Sequence, residues 1–200
     1  MKEIAAVVLA AGASRRFGAD KLLHPVKAGN SMMPLIARSL LPWLDAFSQV
    51  TVVVRADSDE LRRQVEQALG PEKAAAVRWC VCPDAMLGMS ASLAAGVAYN
   101  HNADGWLIGL ADMPVISSAI IGEVRDAIAS GASLAAPYCD GQRGHPVGFA
   151  ARYRDELLAL QGDAGAREIL KREAGSLLRI DTTDPGIFTD IDNPEDLTGL

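Results

Sequence analysis

Two hundred residues with a formal charge of −6, half of them hydrophobic and only 5% aromatic, describe one domain, residues 1–200, around a core of Ala, Val, Leu and Ile. The acidic balance excludes an extended nucleic-acid surface, which would show a basic face, but leaves room for one anion at a local cationic loop. No apolar run approaches the ~20 residues of a membrane span, and the first apolar stretch is cut by Arg15 and Arg16 rather than shaped as a secretion signal, so the cytoplasm is the expected location.

The chain opens on an apolar run, Ile4 to Ala10, which reads as a strand buried on both faces because it lacks polar alternation. Ala11-Gly12-Ala13-Ser14 follows, small residues that let a backbone approach a ligand closely, and then the cations Arg15, Arg16 and Lys21. Backbone N–H groups, a guanidinium fork and a mobile ammonium together suit a polyphosphate. The same residues also suit a strand, a turn and a solvated basic helix start. Two phosphate motifs are excluded. Gly12 and Gly18 are too far apart for a P-loop and Leu22 follows Lys21, while Ala13 and Ser14 break any G-x-G-x-x-G fingerprint.

Beyond a turn at Gly29-Asn30, Pro34 to Leu41 reads as a helix with Ile36, Leu40 and Leu44 on one stripe, which Pro42 is expected to kink or end. Val50 to Val54 is a second strand. Asp57-Ser-Asp-Glu60 suits a capping box for a helix bearing Leu61, Val65, Ala68 and Leu69, ended by Gly70-Pro71. Val77 to Val81 is a third strand, Gly88 to Gly96 leads into a helix ending near Asn100, and Trp106 to Leu110 is a fourth strand. Ser117 or Ser118 caps a helix with Ile121, Val124 and Ile128, and Leu134 to Pro137 begins a fifth strand. After the polar loop Asp140 to Pro146 come a strand at Val147 to Ala150, helices at Tyr153 to Leu160 and Ala164 to Glu173 broken at Gly162-Asp163, and a strand at Leu177 to Ile180. Asn193-Pro194 supplies an N-cap and first-turn proline for a last short helix. Strands alternating with amphipathic helices indicate an α/β fold of three layers with a mostly parallel sheet. The cysteines, Cys80, Cys82 and Cys139, lack zinc-site spacing and read as buried thiols.

Several residues carry chemistry and a plainer reading side by side. Asp112 follows an apolar strand, where open α/β sheets bind ligands, and a carboxylate there suits Mg²⁺; as Asp-Met-Pro it also suits an ordinary turn. Asp190 and Asp192 fall on one face by alternation, as metal ligands or as surface acids. Gly88-Met-Ser90 at a helix N-terminus offers free N–H groups and a hydroxyl, or simply an N-cap. His145 is a candidate ligand-binding residue or a loop residue.

Read together, these segments resemble the nucleotidyltransferases related to molybdenum cofactor guanylyl- and cytidylyltransferases. Their opening, roughly L-A-[AG]-G-x-[SA]-x-R-[MF]-G-x-x-K, is matched from Leu9 to Lys21. Their D-x-P, G-M-S-x-S-L, G-[HN]-P-V and D-I-D-T-P-E-D-L stretches are matched at Asp112, Gly88 to Leu93, Gly144 to Val147 and Asp190 to Leu197, with Asn193 where threonine is usual. The resemblance implies a Rossmann-like three-layer α/β/α sandwich of the nucleotide-diphospho-sugar transferase type. It implies Arg16 and Lys21 on the triphosphate, with Leu9, Ala10, Ala11, Gly12, Gly88 and Ser90 at the nucleotide. It makes Asp112 and Asp192 Mg²⁺ ligands, Asp190 a weaker one, and places His145 and Pro146 near the acceptor. Only the second arginine of the pair aligns with the family's fixed one, so Arg15 is given no role.

The implied reaction is attack of an acceptor phosphate on the α-phosphorus of an NTP, with pyrophosphate leaving. An anionic phosphate needs no strong general base, and the chain has no convincing Ser/His/Asp or Cys/His set. In the resembling family L-A-A-G tends to accompany CTP and L-A-G-G tends to accompany GTP. Leu9-Ala-Ala-Gly12 with Gly144-His-Pro-Val147 therefore points to CTP and molybdopterin as substrates, with a molybdenum hydroxylase as a transient partner. The alternatives are a guanylyltransferase or a relative using another phosphorylated acceptor, a sugar-phosphate nucleotidyltransferase, and a molybdenum cofactor carrier or chaperone. Arg16, Lys21 and Asp112 argue for catalysis, since a pure carrier needs no grip on a triphosphate.

Overall fold

The computed structural model describes residues 2–12, 20–29 and 31–199. Arg15 and Arg16, both singled out in the sequence, lie outside the described residues. Within them, each apolar run becomes a strand of one twisted sheet: β1 (Ile4–Leu9), β4 (Val50–Val54), β5 (Val77–Val81), β6 (Gly105–Leu110), β7 (Leu134–Cys139), β9 (Val147–Ala150) and β10 (Leu177–Asp181), in the spatial order β10-β7-β9-β6-β1-β4-β5. β1 lies at the centre with β6 and β4 parallel on either side, and β5 continues the parallel run. The chain therefore moves outward from β1 to β5 and then returns to the other side of β1, which makes the β1/β6 boundary a topological switch point.

Helices cover both faces, as the alternating pattern predicts. α1 (Leu35–Ala46), α2 (Asp59–Ala74) and α4 (Ser118–Ala129) send Ile36, Leu40, Trp43, Val65, Ile121 and Ile128 against Val8, Val52 and Leu107. On the opposite face α3 (Met89–Tyr99), α5 (Arg154–Leu158) and α6 (Arg167–Arg172) pack Leu93, Val97, Leu157 and Ile169 against Val7, Val53 and Trp106. Alternation along β1 assigns Val7 to one core and Val8 to the other. Cys80 and Cys82, two apart, share the α3 face as free buried thiols.

Three local expectations are corrected, and the turn at Gly29 is found inside a hairpin. α1 runs past Pro42 to Ala46, with Leu40 and Trp43 buried on either side of the proline holding it to the sheet. At the start of α2 the N-cap is Ser58, without a side-chain cap bond; Asp57 pairs with Arg55 at 3.2 Å, and Glu60 bonds forward to Arg63. Helical geometry does break at Gly70 (φ 73°), but Pro71 opens one more turn to Ala74. The stretch around Gly29 is an antiparallel hairpin of β2 (Pro25–Ala28) and β3 (Ser31–Pro34), invisible to a strand search because prolines stand at both outer ends.

The sheet is mostly parallel, as the alternation indicates, with its antiparallel pairs gathered around β9 and β8 (Gln142–Arg143). β9 runs antiparallel to both β6 and β7, and the loop at Asp140 to Pro146 contains β8, paired back onto β7. No helix separates β7 from β9, so the chain returns by a hairpin-like reversal. The His145–Pro146 peptide in that reversal is cis. The last turn, Pro194–Gly199, is 3-10 rather than α, and the N–H groups of Asp192 and Asn193 both donate to Asp196 Oδ2 at 2.8 Å, so Asp196 satisfies this end.

Gly109 in β6 shows how tightly the α1 layer sits. A Cβ there would lie 2.1 Å from Trp43 Cζ2, so the indole rests on bare backbone. Gly109→Ala forces the ring out of place; overpacking of this kind costs about 1–3 kcal/mol and lowers Tm by several degrees at this chain length. Thermal unfolding with Trp emission checks this, and an unchanged Tm would contradict the packing described.

Candidate active site

A cleft of about 460 Å³ opens at the carboxyl ends of β1 and β6. Its floor is the end of β1 and the residues just beyond it: Leu9, Ala10, Ala11 and Gly12 all line it. The backbone here is held by sheet bonds carried past the strands, with Ala10 N–H donating to Val53 O at 2.8 Å and Ala111 N–H to Leu9 O at 3.1 Å. Gly12 is bare for another reason: among the described residues a Cβ built on it meets nothing within 4 Å, so its missing side chain leaves space in the cleft.

The charged wall lies on the α1 side. Lys21 begins a 3-10 turn, Lys21–Leu23, capped by Asp20, whose Oδ1 accepts from Leu22 N–H at 3.2 Å. Leu22 is buried in the α1 core, which orients its neighbour Lys21 toward the cleft. There the ammonium meets Asp112 Oδ2 at 2.7 Å, Asp192 Oδ1 at 3.2 Å and the Ile191 carbonyl at 2.7 Å. These three acceptors match the donors of one ammonium. Burial works against its charge, but the two carboxylates outweigh burial and hold the Lys21 pKa above its usual value.

Asp112 and Asp192 are brought together by a backbone bond, Ile191 N–H to Asp112 O at 3.0 Å. Ile191 itself is fully buried beside Val26 and Leu35, so the acids flanking it take the opposite side of the chain, as alternation predicts. Only Asp192 reaches the cleft. Asp190 is pushed to a higher pKa by burial, opposed by its own amide and reinforced by the Asp112 and Asp192 charges. Asp112 Oδ1 is buried and has no hydrogen-bond partner. An unsatisfied carboxylate oxygen beside a second carboxylate fits a divalent cation. No group of three or more His, Cys, Asp and Glu able to hold a metal occurs among the described residues, so a cation held here would need substrate phosphates or water to complete its coordination.

The opposite wall, on the α3 side, comes from residues 85–92 and the loop after α5. Gly88 lines it with φ 110°, a conformation that favours glycine. Ser90 does not line the cleft. It is fully buried, its hydroxyl donating to Gln161 O at 3.1 Å and accepting from Gly165 N–H at 3.2 Å, so it fastens the Gln161–Gly165 loop. Ser92 and Asp163 line the cleft instead, and neither was singled out in the sequence. Ser92 sits within the G-M-S-x-S-L stretch, which signals it. Asp163 appears in the sequence only as part of a helix break.

His145 and Pro146 also lie outside the cleft lining. His145 N–H donates to Ile187 O at 3.0 Å, and its ring Nδ1 is buried without a partner. Burial first and the Arg143 guanidinium second hold the imidazole below its ordinary pKa, against the opposing pull of Asp112 and the Ile108 carbonyl. Folding therefore keeps this ring neutral, while the unfolded chain protonates it near ~6.5. The unfolded state binds the extra proton, so stability is lost as pH falls from that value toward the lower folded pKa. His145→Gln should flatten the slope of stability against pH between about 7 and 5, measured by denaturant unfolding at each pH; an unchanged slope would show that His145 titrates alike in both states.

Residues 6–177 match the MobA-like NTP transferase domain. The chain is 33% identical to the purine catabolism protein PucB of Bacillus subtilis (strain 168), over 95% of this chain and 92% of that protein. It is 29% identical to the nicotine blue oxidoreductase of Paenarthrobacter nicotinovorans, over 98% and 96%. Its fold superposes on Rv0371c of Mycobacterium tuberculosis H37Rv with a TM-score of 0.79 at 22% identity, over 99% of this chain and 96% of that one; Rv0371c has also been solved in complex with manganese. The chain belongs to the MobA-like NTP transferase domain family, and is a nucleotidyltransferase of that type.

Proposed function

We propose that this nucleotidyltransferase transfers CMP from CTP to the terminal phosphate of a molybdopterin-type acceptor and releases pyrophosphate. The observation that carries the reading is the convergence of Lys21, Asp112 and Asp192 beside the open Gly12 backbone, in one cleft at the switch point of the sheet. A phosphate acceptor is already anionic near neutral pH, so the site must position two anions and offset their charge rather than remove a proton.

Mg²⁺, when bound, supplies charge neutralisation on the phosphates, and Asp112 with Asp192 would hold it. The unsatisfied Asp112 Oδ1 supports this. Lys21, at the wall of the same cleft, would place its ammonium against the triphosphate and the departing pyrophosphate. Arg16 joins it by resemblance to the family. The lean toward CTP rests on Ala11, whose buried methyl narrows the cleft where the L-A-G-G relatives have glycine. His145 and Pro146 lie outside the cleft lining, with the Asp112 charge still acting on the His145 ring, so they would serve the acceptor end without touching the acceptor.

Pyrophosphate release with Mg²⁺, molybdopterin and CTP, GTP or ATP tests the reading. Turnover with CTP that is lost on chelation is expected; turnover with GTP alone would keep the mechanism and discard the base assignment. Asp112→Asn, which preserves shape, should lower turnover at least a hundredfold with the fold retained, and Lys21→Ala should do the same. Lys21→Ala should also cost about 1–3 kcal/mol of stability, because two partly buried carboxylates lose their cation. Near-normal turnover in either variant would overturn the site assignment.

Gly12→Ala separates ligand space from folding. With no described residue within 4 Å of the added methyl, Tm should not move, whereas nucleotide affinity should fall at least ~10-fold because the triphosphate loses its close backbone approach. Unaltered nucleotide binding would remove Gly12 from the site.

A further inference from the structure

The two walls of the cleft differ in what they can hold. The α1 wall presents Lys21 with its two carboxylates. The α3 wall presents Met86 and Met89, 72% and 45% exposed, together with Ser92 and the carboxylate of Asp163. Among the described residues no hydrogen bond or ion pair reaches the Asp163 carboxylate. An unneutralised carboxylate repels a triphosphate, so this wall takes the part of the substrate that carries N–H or O–H donors and a flat apolar face.

Its position is built rather than incidental. Ser90 N–H donates to Gly162 O at 3.1 Å, and the Ser90 hydroxyl ties Gln161 and Gly165, so both sides of Asp163 are fastened to the first turn of α3. Asp163 Oδ1 would lie 2.2 Å from a Cβ at Gly88, and Gly162 O 2.6 Å from it, so the carboxylate rests directly on the bare Cα of Gly88. The residue that carries the carboxylate, the residue that leaves room for it and the residue that fastens its loop come from two segments far apart in the chain. They meet only at this wall.

We propose that Asp163 is a specificity-determining residue that reads the amino edge of the nucleobase, accepting an exocyclic N–H from a ring laid against Met86 and Met89. This rests on the nucleotidyl-transfer reading above. Methionine is polarisable and fits an aromatic face without a fixed shape of its own, and a carboxylate accepts from the 4-amino group of cytosine. Uracil presents a 4-oxo group at the same place, which would set lone pairs against the carboxylate. A base with that amino group is accepted and its oxo counterpart is refused, because the mismatch leaves a polar group facing an acceptor that cannot bond to it.

Equilibrium binding of CTP and UTP to the full chain with Mg²⁺ present tests this, comparing wild type with Asp163→Asn and Asp163→Ala. Wild type should favour CTP over UTP at least ~10-fold. Asp163→Asn, whose amide donates as well as accepts, should bring the two nucleotides close to parity. Asp163→Ala should weaken CTP while leaving UTP unchanged or tighter. If the wild type instead favours GTP, the matched pair is GTP and inosine triphosphate, which lacks the 2-amino donor, and the same collapse of preference is expected in Asp163→Asn. Thermal unfolding of each variant controls for folding, since an exposed side chain with no partner should leave Tm unmoved. A wild-type nucleotide ratio retained in Asp163→Asn overturns the inference alone, as does a change confined to the acceptor KM in turnover. Failure of the wild type to bind any of these nucleotides overturns the nucleotidyl-transfer reading and this one with it.

Discussion

The site depends on a single ammonium shared by two carboxylates and a carbonyl. Lys21 lies 170 residues from Ile191 and 171 from Asp192, and Asp112 stands between them in the chain. Without the cation, the two carboxylates of Asp112 and Asp192 would face one another in a partly desolvated cleft, and Asp190, outside its lining, already feels their field. The interaction is therefore both structural and provisional. It closes the C-terminal segment onto the sheet, yet it uses groups that a metal-bound triphosphate would also seek. Such a site is poised by charge: bringing in a cation and an anion together costs little, whereas either alone leaves charges unmatched.

The rest of the fold sets that charge in place. Strands buried on both faces fix the ends of β1 and β6 to each other, and Ala111 N–H to Leu9 O carries the register past the strands, where Gly12 and Asp112 begin. Ile191 anchors the last segment by packing into its own small core with Val26 and Leu35, so the β2–β3 hairpin and the start of α1 take part in holding Asp192. The hairpin stands apart from the main sheet and contributes Val26 to this anchor. The short 3-10 turn at Lys21 works the same way, with Leu22 inward and Lys21 outward.

Much of this was legible in the sequence where one physical signal dominates. Val50 to Val54 and Trp106 to Leu110 are strands because an unbroken apolar run of that length has nowhere else to go. Lys21 and Asp112 are marked by their own settings, a cationic loop and a strand end, but only resemblance to a family groups them with Asp192, since no spacing rule links residues so far apart; the structure adds that Lys21 touches both acids. What stayed hidden depends on partners that local pattern does not encode. β9 reads as a strand, but its direction follows from the absence of a helix between it and β7. Pro42 reads as a helix breaker, but burial of Leu40 and Trp43 prevails. Ser90 reads as a free hydroxyl at a helix start, while both its donor and its acceptor are taken by a loop 71–75 residues later.

That last case explains the division of labour across the cleft. A serine at the start of a helix, close to a ligand site, would ordinarily offer its hydroxyl to the ligand. Here it is turned away to hold a loop, and the loop brings a carboxylate to the wall. Replacing a neutral hydroxyl by a negative charge at that place narrows what the wall accepts: phosphate is excluded from it, and rings bearing amino groups are favoured. Phosphate is thereby directed to the Lys21 wall by repulsion from one side as well as attraction on the other. The orientation of a bound nucleotide in such a cleft follows from where the two signs of charge lie, before any contact with the base is counted.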